Sequence, residues 1–159
     1  MIKNRTLAAA LISMAGLVPF IATFAIFLIR PLVSGAAVVA MVDYGAVVLS
    51  FSGAVHWGFA LRANQPDDQQ RDGCQLVFGV MPALIGFLAL LCTTQLGAPR
   101  VALGMLAAGY FATIVGETVG RGRQLVPTDY LVIRWAMTIV TLGVLVSTLF
   151  IALVGMRSG

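Results

Sequence analysis

Residues 130–154 read YLVIRWAMTIVTLGVLVSTLFIALV, 25 positions with a single charge at Arg134. A helix needs about 20 predominantly apolar residues to cross the ~30 Å hydrocarbon layer of a bilayer. This run meets that length, and four others do as well. Residues 7–29 form the first, stopped by Arg30 and Pro31. The second ends at Leu61 and Arg62 and begins somewhere between Leu32 and Asp43. Residues 74–94 and 99–118 complete the set. The expected fold is all-α, a polytopic bundle of five transmembrane helices in one membrane domain, with spans near 7–29, 43–61, 74–94, 99–118 and 130–154.

Composition agrees. The chain has 159 residues, 60% of them hydrophobic, and only 16 charges, 10 Lys and Arg against 6 Asp and Glu. A soluble domain carries roughly a quarter charged residues, so this surface cannot face water throughout; the mean hydropathy is +0.99. A soluble enzyme, a nucleic-acid module and a disordered tail are excluded together. The formal net charge of +4 comes from basic residues placed one or two at a time between apolar runs, which is how membrane topology is encoded rather than how nucleic acid is bound.

The N-terminal Lys3 and Arg5 before an apolar run resemble a signal peptide, but the run continues to Ile29. A secretory core is 7–15 residues long, so an uncleaved span is expected. With no Arg- and Ser-rich transit peptide, the expected location is a bacterial cytoplasmic membrane. Placing the N-terminus inside puts Lys3, Arg5, Arg62, Arg71, Arg121, Arg123 and Arg134 on the cytoplasmic side and Arg30, Arg100 and Arg157 on the other. Seven against three favours an inside N-terminus and an outside C-terminus.

Between spans two and three lies the one properly hydrophilic loop, residues 64–73. The other connections are short and force neighbouring spans antiparallel. Residues 32–61 would make about 45 Å of helix, too long for a single crossing. Residues 32–42 are therefore read as a short interfacial or re-entrant piece, with Asp43 capping span two and Tyr44 in the aromatic belt. The alternative is one tilted helix that draws Asp43 into the membrane and makes it a functional candidate. Pro19 and Pro82 fall inside spans one and three, where kinks are expected. Cys74 and Cys92, 18 residues apart, would lie about 27 Å apart on one helix, too far for a disulfide.

Gly104, Ala108, Ala112, Gly116 and Gly120 recur every four residues along span four, a ridge of small side chains suited to close helix packing, within the bundle or between proteins. Three ionisable residues remain inside spans: His56, Glu117 and Arg134. On insertion scales a charge at mid-membrane costs about 2.5–3.5 kcal/mol, so each calls for a partner. His56 lies about 9 Å from Arg62, Glu117 about 6 Å from Arg121, and Arg134 about 7.5 Å from Asp129, all measured from the same expected face. Matching depths predict a Glu117–Arg134 pair with His56 nearby. Ser52 shares the His56 face at i, i+4, and Arg134, Thr138, Thr141 and Thr148 form a stripe suited to the bundle interior. The cluster reads either as a buried clamp fixing helix register or as a site for a proton, a quinone headgroup or another small ligand. Trp57 reads as a packing or interfacial aromatic. As the sole histidine, His56 excludes a bis-histidine haem or a multi-histidine metal site within the chain. No cofactor is expected. Phosphate loops, GxSxG, HExxH and paired carboxylates within a span are all missing from the sequence, and no enzyme is expected.

Residues 44–58 read YGAVVLSFSGAVHWG. This string resembles the hallmark of the transmembrane protein 69 family (domain of unknown function 3429), small multi-span proteins of bacteria and mitochondria. The pattern there is approximately Tyr-Gly-Ala-x-x-Leu-Ser-Phe-x-Gly-x-x-His-Trp-Gly. Weaker echoes are Pro82-Ala83-Leu84 and residues 130–135, YLVIRW, leading into Thr138. The resemblance runs from about Pro31 to the end of span five and singles out His56, Trp57 and Arg134. Ser52 stands where a bulky residue is expected in the family, which would loosen packing there. The resemblance implies no particular biochemistry. The leading functional expectation is an accessory or assembly subunit that meets other membrane proteins within the bilayer. A proton- or small-molecule-handling protein built on His56, Glu117 and Arg134, or a quinone-contacting one, is the alternative.

Overall fold

The computed structural model describes residues 13–60, 69–122 and 128–154. Among them are five α-helices, with no strand: α1 (Val18–Ile29), α2 (Ser34–Ala60), α3 (Gln69–Thr94), α4 (Pro99–Gly122) and α5 (Thr128–Val154). Four are long and apolar enough to cross a membrane, and α1 belongs to a shorter apolar stretch, Ser13–Ile29. The all-α bundle of membrane-length helices therefore stands. The beginning of the first expected span and most of the hydrophilic loop lie outside the described residues.

Local chemistry sets the helix ends. Arg30, restricted by the proline after it, takes φ −121° and ψ 81°, and α1 stops. A 3-10 turn, Pro31–Val33, leads directly into α2. Between α3 and α4, Gly97 adopts φ +58°, a left-handed conformation that costs glycine little. There the Ala98 N–H reaches back to the Cys92 carbonyl at 2.9 Å, and Pro99 opens α4 where its missing N–H is not needed.

The interfacial segment assigned to residues 32–42 is corrected here. Beyond the 3-10 turn the chain is one continuous helix from Ser34 to Ala60, the alternative of the two readings. Ala37, Val38, Met41 and Val42 are all buried, so the early part of α2 packs into the bundle instead of lying on a surface. Twenty-seven residues make about 40 Å, longer than the hydrocarbon layer, which tilt or overhang accommodates. Asp43 therefore does not cap a helix; it stands nine residues past Ser34. Tyr44 turns inward, partly buried against the core, with its hydroxyl donating to the Gly16 carbonyl at 2.7 Å. Residues 69–73, read as loop, form the first turn of α3. Proline acts differently in its two places: Pro82 sits inside an unbroken α3, whereas Pro19 falls in the first turn of α1, just after a break at Gly16 and Leu17.

Neighbours run antiparallel, as the short connections require. Gly53 of α2 meets Gly79 of α3, and Ala46 meets Gly86. Ile85 of α3 meets Gly109 of α4, and Gly104 of α4 faces Leu149 of α5. One end of the bundle thus gathers Ile29, Ser34, Thr94, Pro99 and Val154; the opposite end gathers Ala60, Gln69, Gly122 and Thr128. The hub is α2. Its Tyr44 ring packs edge-on against Phe20 of α1 at 5.1 Å, and its Gly45 carbonyl accepts from Tyr110 of α4 at 2.9 Å. Met41 of α2 receives the Thr148 hydroxyl of α5 at 3.6 Å. Around it Phe20, Leu49, Leu103, Leu106 and Leu145 form the core.

Candidate functional site

The site begins with the helix faces. On α2 the inward stripe is Gly45, Leu49, Ser52 and His56, spaced three or four apart so that all four point into the bundle. On α4, Glu117 occupies the inward face one turn beyond Thr113, and both are buried. On α5 the stripe of Arg134, Thr138, Thr141 and Thr148 also turns inward, with the three threonines at most 3% exposed. Because α2 and α4 run parallel and α5 antiparallel to both, these stripes bring His56, Glu117 and Arg134 to one level.

They meet there. The Arg134 Nε donates to both carboxylate oxygens of Glu117, at 3.2 Å to Oε1 and 3.1 Å to Oε2. The His56 Nε2 lies 3.4 Å from Glu117 Oε1. The Glu117 side chain is wholly buried, His56 nearly so, and Arg134 keeps 12% of its side chain exposed. A carboxylate this far from water is stable only with its charge matched and its lone pairs occupied. One guanidinium and one imidazole do that, and in doing so they bind α2, α4 and α5 to each other.

Phe78 of α3 closes the site, and the sequence reading missed it. Its ring stands edge-on to His56, centroids 4.9 Å apart and planes at 88°. The ring fits there because Gly116, adjacent to Glu117, has no side chain to meet it. The signal was Gly116 itself, read only as part of the small-residue ridge although it stands one residue before Glu117. Thr138, which the sequence placed on the Arg134 stripe, is buried there, and its Oγ1 has no hydrogen-bond partner among the described residues.

Other expected members fall elsewhere. Ser52 is buried on the His56 face, but its hydroxyl donates to the Leu49 carbonyl at 2.7 Å on its own helix. Trp57 turns outward, 46% exposed, and its Nε1 donates to the Leu76 carbonyl at 3.2 Å, tying α2 to α3. The small-residue ridge of α4 does not make one contact surface. Gly116 packs on Phe78 and Gly104 approaches Leu149, while Ala108 and Ala112 between them are exposed; Gly120 lies outside the residues whose surroundings are described. Helix rotation explains this, since a four-residue repeat drifts around a helix of 3.6 residues per turn. Asp43 lies on the outer surface of α2, apart from the cluster.

The family model for DUF3429, described as a protein of unknown function, matches residues 6–150. The chain belongs to that family. It is also similar to Transmembrane protein 69 of Xenopus tropicalis, 36% identical over 90 residues. That match covers 57% of this chain and 35% of the frog protein, so the chain spans about a third of the length of the relative it matches. No solved structure matches it. The family resemblance read on residues 44–58 therefore holds, and this DUF3429 member is a multi-pass membrane protein. Six residues of its signature make distinct contacts. Tyr44 places its hydroxyl on the chain before α1, and Trp57 bonds the α3 backbone. Gly45 permits close approach to α4 and Gly53 to α3, Leu49 fills the core, and His56 meets the carboxylate.

Proposed function

We propose that this DUF3429 member is a non-enzymatic accessory or assembly subunit of the bacterial cytoplasmic membrane, oriented with its N-terminus in the cytoplasm and its C-terminus outside. It holds itself together by an internal polar clamp and meets other membrane proteins on its apolar outer faces. The observation that carries the reading is the complete burial of Glu117 between Arg134 and His56. A carboxylate with both oxygens engaged from two other helices locks register; it is poorly placed to attack or bind a substrate. Outside, Val47, Phe51, Phe111 and Phe150 are each more than half exposed, and the middle of the α4 ridge, Ala108 and Ala112, lies open to a close-packing helix.

Gentle solubilisation of native membranes followed by native electrophoresis tests this reading. The expected result is migration with other membrane proteins, well above a 16.7 kDa chain in its detergent micelle. Migration alone overturns it.

A second reading, proton or small-ligand handling at the cluster, is favoured by Thr138. Its buried hydroxyl, without a hydrogen-bond partner among the described residues, lies one turn from Arg134 and offers a polar ligand a hydrogen bond. A His56→Ala variant with unchanged yield and melting but a lost cellular phenotype supports that reading over the clamp.

A further inference from the structure

The outer stripe of α2 consists of Ala36, Ala40, Asp43, Val47 and Phe51, all exposed on the side that α1, α3, α4 and α5 leave uncovered. One carboxylate stands in this otherwise apolar surface, and its depth can be read from three helices. Asp43 is nine residues from Ser34, about 14 Å along α2. Its neighbour Tyr44 packs on Phe20, nine residues from the Ile29 end of α1, again about 14 Å. Gly45 receives Tyr110, eleven residues from Pro99, about 16 Å along α4. All three put Asp43 well inside a ~30 Å layer even when helix tilt shortens the depth, beyond the reach of a short aspartate side chain to the headgroups. Among the described residues it makes no hydrogen bond and no ion pair.

A cation at that depth on a neighbouring chain would complete it. A second copy of this chain cannot supply one through its described residues. Arg30 and Arg100 sit at the bundle end, a helix half-length away, and Arg134 is bound to Glu117 in the opposite half. In a two-fold dimer with its axis along the membrane normal, residues meet others of equal depth, so Asp43 would face its own equivalent or an apolar side chain. Ala36 and Ala40, one turn apart beside Asp43, lower the surface so that a helix backbone can approach closely.

We propose that this stripe is a docking seam for a transmembrane helix of a different protein, one carrying Lys or Arg at mid-membrane, with the Asp43 carboxylate as its ion-pair partner. The proposal rests on the accessory reading above and names the surface and chemistry of the partner.

The test uses the full chain in its native membrane, with a benzophenone amino acid replacing Val47 on the seam or Phe111 on the outer face of α4. Irradiation of the Val47 probe is expected to give one discrete adduct, captured on a transmembrane peptide of another protein with Lys or Arg within about one turn of the cross-link. Asp43→Leu, which places an apolar group on a lipid-facing surface and leaves melting unchanged, should reduce that adduct at least tenfold. Asp43→Glu should retain it, and Asp43→Lys paired with the partner's basic residue changed to Asp should restore it. An adduct insensitive to Asp43→Leu, or one formed with a second copy of this chain, overturns the seam. An adduct from Phe111 alone also overturns the seam while leaving the accessory reading intact. Silence at both probes, together with solitary migration on native gels, overturns both.

Discussion

At the residue scale the decisive object is the Glu117 carboxylate. Its stability depends on what stands opposite it more than on where it sits. Removing one partner of a buried pair leaves an uncompensated charge, a loss of about 3–5 kcal/mol, whereas replacing both with apolar groups of similar size is often neutral. Arg134→Leu alone should therefore lower the unfolding free energy of the detergent-solubilised protein by about that amount, and Glu117→Leu combined with Arg134→Leu should recover most of it. A single variant that melts like the parent would show that the 3.1 Å contact carries no net energy. Tyr110→Phe is a gentler probe. It deletes one buried hydroxyl donor to Gly45 and should cost about 0.5–1.5 kcal/mol in the same assay. The ion pair was legible in the sequence, because three rare groups at matched depths in a bilayer have few other places to go. Phe78 was not, since an aromatic in an apolar helix looks the same whether it faces lipid or an imidazole. Asp43 was half legible: the sequence flagged it, but its outward direction emerged only when residues 34–60 proved to be one helix.

At the element scale, the closest backbone approach is between α2 and α3, where glycines supply the room. A Cβ at Gly53 would run into the Gly79 carbonyl, one at Gly79 into the Trp57 indole, and one at Gly86 into the Ala46 carbonyl at 2.9 Å. Backbone cannot move aside as a flexible side chain can. Gly53→Val and Gly79→Val are thus expected to splay the hairpin, seen as loss of the folded fraction in detergent or a drop in melting temperature of several degrees. Gly143, with open space around it, is the internal control. Gly143→Ala should leave melting unchanged or raise stability by up to about 1 kcal/mol through helix propensity. The small-residue ridge visible in the sequence on α4 and the closest glycine contacts on α2 and α3 are different features, for a definable reason. A strict four-residue repeat on α4 is conspicuous in one chain, yet it winds around the helix, whereas Gly79 and Gly86 on α3, seven apart, return to one face. Helix existence was legible from apolar run length alone; helix rotation, which decides what each small residue meets, was not.

At the scale of the whole molecule, the two ends of the bundle differ in the charge of the sequence beside them, and that difference predicts an orientation. The end formed by Ala60, Gln69, Gly122 and Thr128 adjoins Arg62, Arg71, Arg121 and Arg123 in the sequence, while the opposite end adjoins Arg30, Arg100 and Arg157. Positive charge is retained on the cytoplasmic side, so the first end is expected to be inside. With Cys74 and Cys92 replaced by Ala, single cysteines at Gln65 and Leu125 should resist a membrane-impermeant maleimide in intact cells and react after lysis. A cysteine at Leu96, 72% exposed in the turn between α3 and α4, should react in both. The result also assigns each carboxylate to a leaflet. His56, Glu117 and Arg134 lie near the charge-rich end and would belong to the cytoplasmic half, whereas Asp43 is nearer the Arg30 end and would face partners from the outer half. Labelling of position 65 in intact cells with protection of position 96 would invert both assignments without disturbing the bundle. Labelling that separates positions 65 and 125 would go further. It would put the start of α3 and the end of α4 on different sides, and no packing of these helices that keeps His56 beside Glu117 allows that.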